Sequence, residues 1–511
     1  MKKRIAVLLM LSLLMLTLLP AAAFADEEAP EQVPEQVSEQ AAPEAAAPQD
    51  DLVTTQHTAV IQGKEIAYTA TVGTMAVQTG GATGEFFFRA YTKDGVENPA
   101  ERPITFAFNG GPGSCSYYLE FGCLGPKRAE MSEDGHSLSM PPRFTDNENS
   151  LLDITDLVFI DAIGTGYSRP ADGSELSSFQ GYDNDVRSFS DFIRQYVNRN
   201  KRWASEKYII GESYGTTRAV GICEYLADNY SMNLNGLMLF STINDFSQAI
   251  PSVSHELPYA LFFPTFAADA WYHGMLSERY QAMELEEYLD EVRDFVSTEY
   301  WPALFQGNRL SDADRNGLAE KISSYLGLKK DYVLEKNNRI SEDDFLTGLL
   351  KEKNLKLGRV DGRYTGLLTD DGSDPSSIET DLIIGNAYYS YLTEELNYQT
   401  DRPYLPLNGA VQDGWTSPDP VVPWLGGYFS QEEIIRECMA QNPYLKVWVN
   451  CGYYDSATPF YAAEWVYSHV FLDEGSKDNL SFSYYPAGHM FYVEKASFDQ
   501  FREEAGNWYQ K

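Results

Sequence analysis

Along this chain the apolar positions change rhythm, and each rhythm predicts a different kind of element. Residues 53–109 carry short alternating bursts: Ala59-Val60-Ile61, Ile66-Ala67-Tyr68, a run from Gly84 to Tyr91, and another over 104–108. A period of two places successive side chains on opposite faces, so these bursts predict antiparallel strands entering a larger sheet. Continuous apolar runs follow at Leu157-Val158-Phe159-Ile160, at Tyr208-Ile209-Ile210 and over 237–241. Such runs are the length of strands and apolar on both faces. Between them, residues 181–198 and 216–229 read as helices, the second with Val220, Ile222, Cys223 and Leu226 at helical spacing. Strands alternating with helices predict a mostly parallel central sheet flanked by helices, an α/β fold.

The alternation stops near residue 244. From there to 428 the chain is rich in aromatic residues and in helix-like charge patterns (277–300, 341–353), without a buried-strand run, which predicts an inserted helical cap. Core pattern resumes at Ser430-Gln431-Glu432-Glu433, whose form is that of a capping box opening a helix that stops before Asn442-Pro443. Strands are predicted over 445–451 and 480–485. The expected organisation is therefore a first core part at 52–243, the cap at 244–428 and a second core part at 429–511.

The first 51 residues read differently. Lys2, Lys3 and Arg4 precede an apolar stretch over 5–19, and Pro20 is followed by Ala23-Phe24-Ala25, a small-x-small cleavage site. Residues 1–25 are thus expected to be a signal peptide, and the mature protein to be exported, secreted or held in the cell envelope. An uncleaved anchor is the alternative, against which Pro20 and the cleavage site weigh; once the signal is cut, no integral membrane span is expected. Residues 26–51 consist mainly of Glu, Gln, Pro, Ala and Val, with neither aromatic nor basic residues, and are expected to form a disordered acidic tether.

The formal charge of −36 becomes more negative when the basic start is removed. It repels nucleic acid and anionic membranes and so argues against both as partners. Five cysteines are too few for a disulfide framework in a chain of this size, and most are expected to be small apolar fillers. Cys115 and Cys123 are the one pair singled out for a possible bridge.

The strongest chemical signal is Gly211-Glu212-Ser213-Tyr214-Gly215, which has an apolar strand before it and a helix after it. That context makes it a nucleophile elbow, a sharp turn that lifts the Ser213 hydroxyl out of the sheet. A serine needs a base, and of the six histidines only His489 follows a strand and a glycine near the C-terminus. Asp455, in the turn after the preceding strand, is placed to orient that base. The order Ser, Asp, His is that of an α/β-hydrolase. Asn109-Gly110-Gly111-Pro112-Gly113, at the end of the strand over 104–108, lets backbone N–H groups approach a substrate oxygen, and the Tyr214 N–H supplies the second donor of an oxyanion hole. His255-Glu256 lacks the second histidine of a zinc peptidase, and no metal or cofactor is expected.

Together Asn109-Gly110-Gly111-Pro112-Gly113, Gly211-Glu212-Ser213-Tyr214-Gly215 and Gly488-His489-Met490 resemble the serine carboxypeptidase family, α/β-hydrolase-fold peptidases that remove C-terminal residues. The likeness extends over both core parts. It implies Ser213 as nucleophile, His489 as base, Asp455 as its orienter, and the N–H groups of Gly111 and Tyr214 as oxyanion donors. It also implies Asn109, with Gly110, and Glu212 as the groups that bind the substrate's free carboxylate. Two positions depart from the eukaryotic pattern. Ala107 stands where a tryptophan is common, and Cys123 stands where a second glutamate precedes Leu-Gly-Pro, so part of the carboxylate clamp is missing.

The leading expectation is an exported serine carboxypeptidase acting on peptides with a free C-terminus. The alternative is an esterase or acyltransferase using the same triad, because the elbow does not choose the acyl group. A binding protein on a disabled hydrolase scaffold is the third reading, disfavoured by the intact set of residues.

Overall fold

The computed structural model describes residues 50–510, except 137, 250, 252–254, 370–371 and 418–428. The expected signal peptide, and the tether apart from its last two residues, lie outside the described residues. Nine strands make the path of one sheet: β1 (Asp51–Ile61), β2 (Lys64–Thr79), β3 (Ala82–Lys93), β4 (Ile104–Phe108), β5 (Asp156–Ile160), β6 (Lys207–Glu212), β7 (Gly236–Phe240), β8 (Lys446–Gly452) and β9 (Leu480–Tyr485). Their order is β1-β2-β3-β5-β4-β6-β7-β8-β9, with Arg169–Pro170 pairing beside β3. The pairings from β1 through β5 are antiparallel and those from β5 onward are parallel.

Alternation along each strand divides the core into two faces. Phe106, Phe108, Val158, Ile160, Ile209, Leu237 and Leu239 enter one cluster, while Ala107, Leu157, Phe159, Tyr208, Ile210, Met238 and Phe240 enter the other. Helices α1 (Tyr182–Arg199) and α2 (Tyr214–Tyr230) cover the first face with Phe189, Ile193, Ala219 and Val220. Residues 244–428 contribute α3 (Leu257–Tyr272), α4 (Pro375–Ser390), several further helices and the antiparallel pair Leu355–Leu357 with Thr365–Leu367. The chain returns through α5 (Glu432–Gln441), α6 (Phe460–His469) and α7 (Lys495–Gln510); Phe498, Phe501 and Ala505 of α7 cover the second face.

Two expectations are corrected here. No capping box opens α5: its N-cap is Gln431, which makes no side-chain cap bond. That side chain is fully buried and spoken for, accepting from Asn244 Nδ2 at 2.9 Å and donating to Tyr182 Oη and the Thr217 carbonyl. Cys115 and Cys123 do not pair; both are buried free thiols with different surroundings, Cys115 by Tyr404 and Asp161, Cys123 by Glu212.

Register aligns the strand ends that matter. Phe108 lies opposite Gly211, Glu212 opposite Phe240, and Phe240 opposite Asn450. The turns after β4, β6, β7, β8 and β9 therefore open at the same carboxyl edge, where open α/β sheets bind ligands. A buried cation braces this edge. Arg89 of β3, fully enclosed, donates to Glu120 Oε2 at 2.6 Å and pairs with Asp161 Oδ1 at 2.8 Å. Glu120 also accepts from Tyr91 and from Tyr388 of α4, and Asp161 accepts the Ser116 N–H, so the charge is neutralised and the loop after β4 is tied to both sheet and insertion.

Candidate active site

The turn after β6 is built by what its glycines exclude. A Cβ on Gly211 would lie 2.2 Å from the Gly215 carbonyl oxygen, and one on Gly215 would lie 2.8 Å from the Phe108 carbonyl oxygen. Ser213 takes φ 59° and ψ −131°, a conformation L-residues rarely adopt, and α2 begins at the next residue. Its N–H donates to the Phe240 carbonyl at 3.0 Å. One residue on, Ser241 Oγ donates to the His489 carbonyl at 2.7 Å, so the end of β7 holds both the serine turn and the histidine turn.

Asp455 and His489 meet as the sequence anticipates. His489 Nδ1–H donates to Asp455 Oδ2 at 2.7 Å, which leaves Nε2 as the ring's basic atom. Asp455 is fully buried, and its Oδ1 accepts the N–H groups of Ala457 and Thr458 at 2.8 and 3.0 Å, while Thr458 Oγ1 donates to Oδ2 at 2.6 Å. Burial alone would lower the pKa of the His489 imidazole. The charge and hydrogen bond of Asp455 outweigh it, with Glu212 adding, and hold the imidazole above its ordinary value. Among the described residues no hydrogen bond joins Ser213 Oγ to His489. Such bonds are often long in ligand-free sites and close when substrate binds.

On the other side of Ser213, Gly110 packs directly on the elbow: a Cβ there would lie 2.5 Å from the Tyr214 nitrogen. Gly111 has φ +104° and its Cβ would strike the Ser114 nitrogen at 2.7 Å. Among the described residues no turn or loop hydrogen bond takes the N–H of Gly111 or Tyr214. Two unspent donors beside a serine can receive a developing oxyanion.

Glu212 is buried beneath these groups. Its Oε1 accepts from Asn109 Nδ2 at 2.8 Å and its Oε2 accepts from Tyr492 Oη at 2.7 Å. Asn109 is itself fixed, its Oδ1 accepting the Leu119 N–H and its carbonyl accepting from Arg218. Burial, with the charge of Asp455 adding, pushes Glu212 up to about 7, against the opposing pull of His489, Tyr492 and Asn109. Cys123 lies close by, its thiol pushed well up first by burial and then by the Glu212 charge.

A sequence model described as serine carboxypeptidase matches residues 64–485. The chain belongs to the serine carboxypeptidase family. Among curated members of this family, it is 24% identical over 220 residues to putative serine carboxypeptidase-like 30 of Arabidopsis thaliana, a stretch covering 42% of this chain and 40% of that protein. It is 25% identical over 190 residues to serine carboxypeptidase-like 8 of the same plant, covering 34% and 40%. The chain thus spans about two fifths of the length of these curated relatives. Among solved structures, the prohormone-processing carboxypeptidase Kex1(delta)p of Saccharomyces cerevisiae superposes with a TM-score of 0.56 at 15% identity, covering 86% of this chain and 91% of that one. The architecture is accordingly the α/β-hydrolase fold, as expected from the alternation of strands and helices, the elbow and the order Ser, Asp, His.

The eight candidate site residues of this carboxypeptidase-family chain lie at the one carboxyl edge: Ser213, Asp455, His489, Gly111, Tyr214, Asn109, Gly110 and Glu212. Two neighbours were not anticipated. Thr458 follows Asp455 by three residues, the spacing of a side chain that bonds back across a turn. Tyr492 follows His489 by three, a lone hydroxyl in the apolar run Phe491-Tyr492-Val493, and that polar atom in a buried run was its available signal. Among the described residues no group of three or more His, Cys, Asp or Glu side chains is arranged to hold a metal ion, and no helix is long and apolar enough to cross a membrane.

Proposed function

We propose that this chain is an exported serine carboxypeptidase that releases C-terminal residues from peptides through an acyl-enzyme on Ser213. Ser213 Oγ attacks the carbonyl carbon of the last peptide bond while its proton passes to His489 Nε2. The N–H groups of Gly111 and Tyr214 receive the negative charge that develops on the carbonyl oxygen. As the C–N bond breaks, His489 returns the proton to the leaving amine. Water then attacks the ester, giving its proton to His489, and the Ser213 hydroxyl is restored. Protonated Glu212 donates to the terminal carboxylate, and Asn109 and the Gly110 N–H complete that contact.

The observation that carries this reading is the buried Asn109–Glu212 pair at 2.8 Å, one residue from Ser213, with a carboxyl poised to hold a proton up to about 7. A free C-terminus needs a donor that does not repel it, and a protonated carboxyl beside the nucleophile is such a donor. Export rests on the basic start, apolar stretch and Ala23-Phe24-Ala25 pattern. The test compares catalytic efficiency against pH for a peptide acid and its C-terminal amide, in the parent and in Glu212→Gln. The acid should be preferred at low pH, and the glutamine variant should lose most of that pH dependence because its amide donates at any pH. Equal cleavage of acid and amide at every pH would leave the esterase or acyltransferase reading in front.

A further inference from the structure

Residues 359–363 belong to the insertion, between the short strands Leu355–Leu357 and Thr365–Leu367, yet their hydrogen bonds go to the turns that carry Asp455 and His489. The residues on both sides of Asp455 are held: Ser456 N–H donates to the Arg359 carbonyl at 3.0 Å, and Gly362 N–H donates to the Tyr454 carbonyl at 2.9 Å. The histidine turn is held at three points. His489 N–H donates to the Val360 carbonyl at 2.6 Å, Gly488 N–H donates to Asp361 Oδ2 at 3.2 Å, and Arg363 Nη1 donates to the Pro486 carbonyl at 3.1 Å. Asp361 is buried and clamped by Arg363, whose Nη2 reaches Oδ2 at 2.7 Å and whose Nε reaches Oδ1 at 3.0 Å.

The fit leaves no slack. A Cβ on Gly488 would lie 2.4 Å from Asp361 Cβ and 2.5 Å from the Val360 carbonyl oxygen. Beneath the segment, α3 supplies Asp269, whose Oδ1 would lie 2.1 Å from a Cβ on Gly362, while His273, which follows the helix, donates from Nε2 to the Gly362 carbonyl at 2.7 Å. The core strands bring the two turns side by side, and among the described residues this segment alone is bonded to both at once from outside the core.

We infer that residues 359–363 are a bracket that sets the geometry of the Asp455–His489 pair, with Asp361 as its positioning residue: its carboxylate fixes the Gly488 peptide, and through it the placement of the His489 ring. This inference rests on the reading of Asp455 and His489 as catalytic. Asp361 touches no reacting atom. Its effect runs through the 2.7 Å bond from His489 to Asp455 and through where Nε2 lies relative to Ser213. Displacement of such a group by about 1 Å costs on the order of 100-fold in rate.

The experiment uses the full chain and the variants Asp361→Ala, Asp361→Asn and Arg363→Gln, each checked for cooperative thermal unfolding. Three quantities are read: kcat and KM on a blocked dipeptide, the rate of Ser213 labelling by a fluorophosphonate, and the downfield proton resonance of His489 Nδ1–H, assigned by its loss in His489→Ala. Asp361→Ala should lower kcat and labelling by about 10- to 100-fold with KM changed less than about twofold, and should weaken or shift the downfield resonance. Asp361→Asn keeps an acceptor for Gly488 N–H and should recover part of each loss. Arg363→Gln should act in the same direction more weakly, and it carries the test if Asp361→Ala fails to fold. Folded variants matching the parent in kcat, labelling rate and resonance would overturn the bracket. A parent that takes no label would instead defeat the assignment of Ser213, while the resonance still judges whether the bracket holds the pair.

Discussion

Replacing Tyr492 by phenylalanine removes one oxygen from the site, and the consequence follows from the two hydrogen bonds on Glu212. Tyr492 Oη donates to Oε2 at 2.7 Å and Asn109 Nδ2 donates to Oε1 at 2.8 Å. Both bonds are stronger to a carboxylate than to a carboxylic acid, so both oppose the burial that pushes Glu212 up to about 7. A hydrogen bond to a charged group contributes about 1.5–3 kcal/mol. A bond to the neutral acid contributes about 0.5–1.5 kcal/mol, so the difference between the two forms is about 1–1.5 kcal/mol, and at about 1.4 kcal/mol per unit losing the Tyr492 bond raises the Glu212 pKa by about one unit. In the proposed mechanism protonated Glu212 is the form that accommodates a terminal carboxylate. In the parent the preference for a peptide acid over its amide therefore fades above about 7, and in Tyr492→Phe it should persist about one unit higher. The assay is the acid-to-amide ratio of kcat/KM across pH. The need for a neutral His489 as base is common to both substrates and cancels in the ratio. A Tyr492→Phe profile superimposed on the parent's would refute the reasoning. A shift toward lower pH would mean that the tyrosine oxygen accepts from a protonated Glu212 instead of donating to it.

Further expectations concern the serine, a buried acid and the N-terminus. Ser213→Ala and His489→Ala should each lower turnover by several orders of magnitude without unfolding the protein, and the double variant should lose little more, because the groups act as a unit; near-parental turnover in purified His489→Ala would contradict the assignment. Asp269 is fully buried, and among the described residues neither of its oxygens has a hydrogen-bond partner. Burial, then the charges of Asp361 and Asp455, hold its pKa well above the usual carboxylate range. The folded state thus binds that proton more tightly than the unfolded chain, and the stability this confers is lost as pH rises from about 4 through the folded-state value. Thermal melts of Asp269→Asn should gain on the parent with rising pH over that window; a gap that does not widen counts against it. Ser213→Gly should be more stable than Ser213→Ala by about 1 kcal/mol in urea denaturation, since glycine takes φ 59° without strain. Mature protein should begin at Asp26, and N-terminal sequencing that returns Met1 would indicate an anchor.

What was legible in the sequence was whatever depends on neighbours in the chain. Tyr208-Ile209-Ile210 reads as a strand because both of its faces are buried, and the elbow reads as an elbow because a strand must turn sharply there on glycines. The Asp455 and His489 turns follow from the same rule, each standing just beyond an apolar strand. Contacts between distant segments were not legible. Nothing within the run Phe491-Tyr492-Val493 indicates that its hydroxyl meets a carboxyl 280 residues away. Ser430 to Glu433 has the spacing of a capping box, yet a tertiary demand on Gln431 from Asn244, Tyr182 and Thr217 prevails over the local pattern. The segment over 359–363 is a polar stretch within the insertion, and its role depends on which turns the fold brings beneath it.

The strained serine has a consequence for descent. At position 213 the residue proposed as nucleophile is not the one the backbone prefers, so selection for turnover and selection for a durable fold pull in opposite directions at one codon. The serine stays only while the organism gains from the reaction. In a lineage that kept the protein for some other purpose, drift would release the strain, and glycine would be retained at this position ahead of alanine.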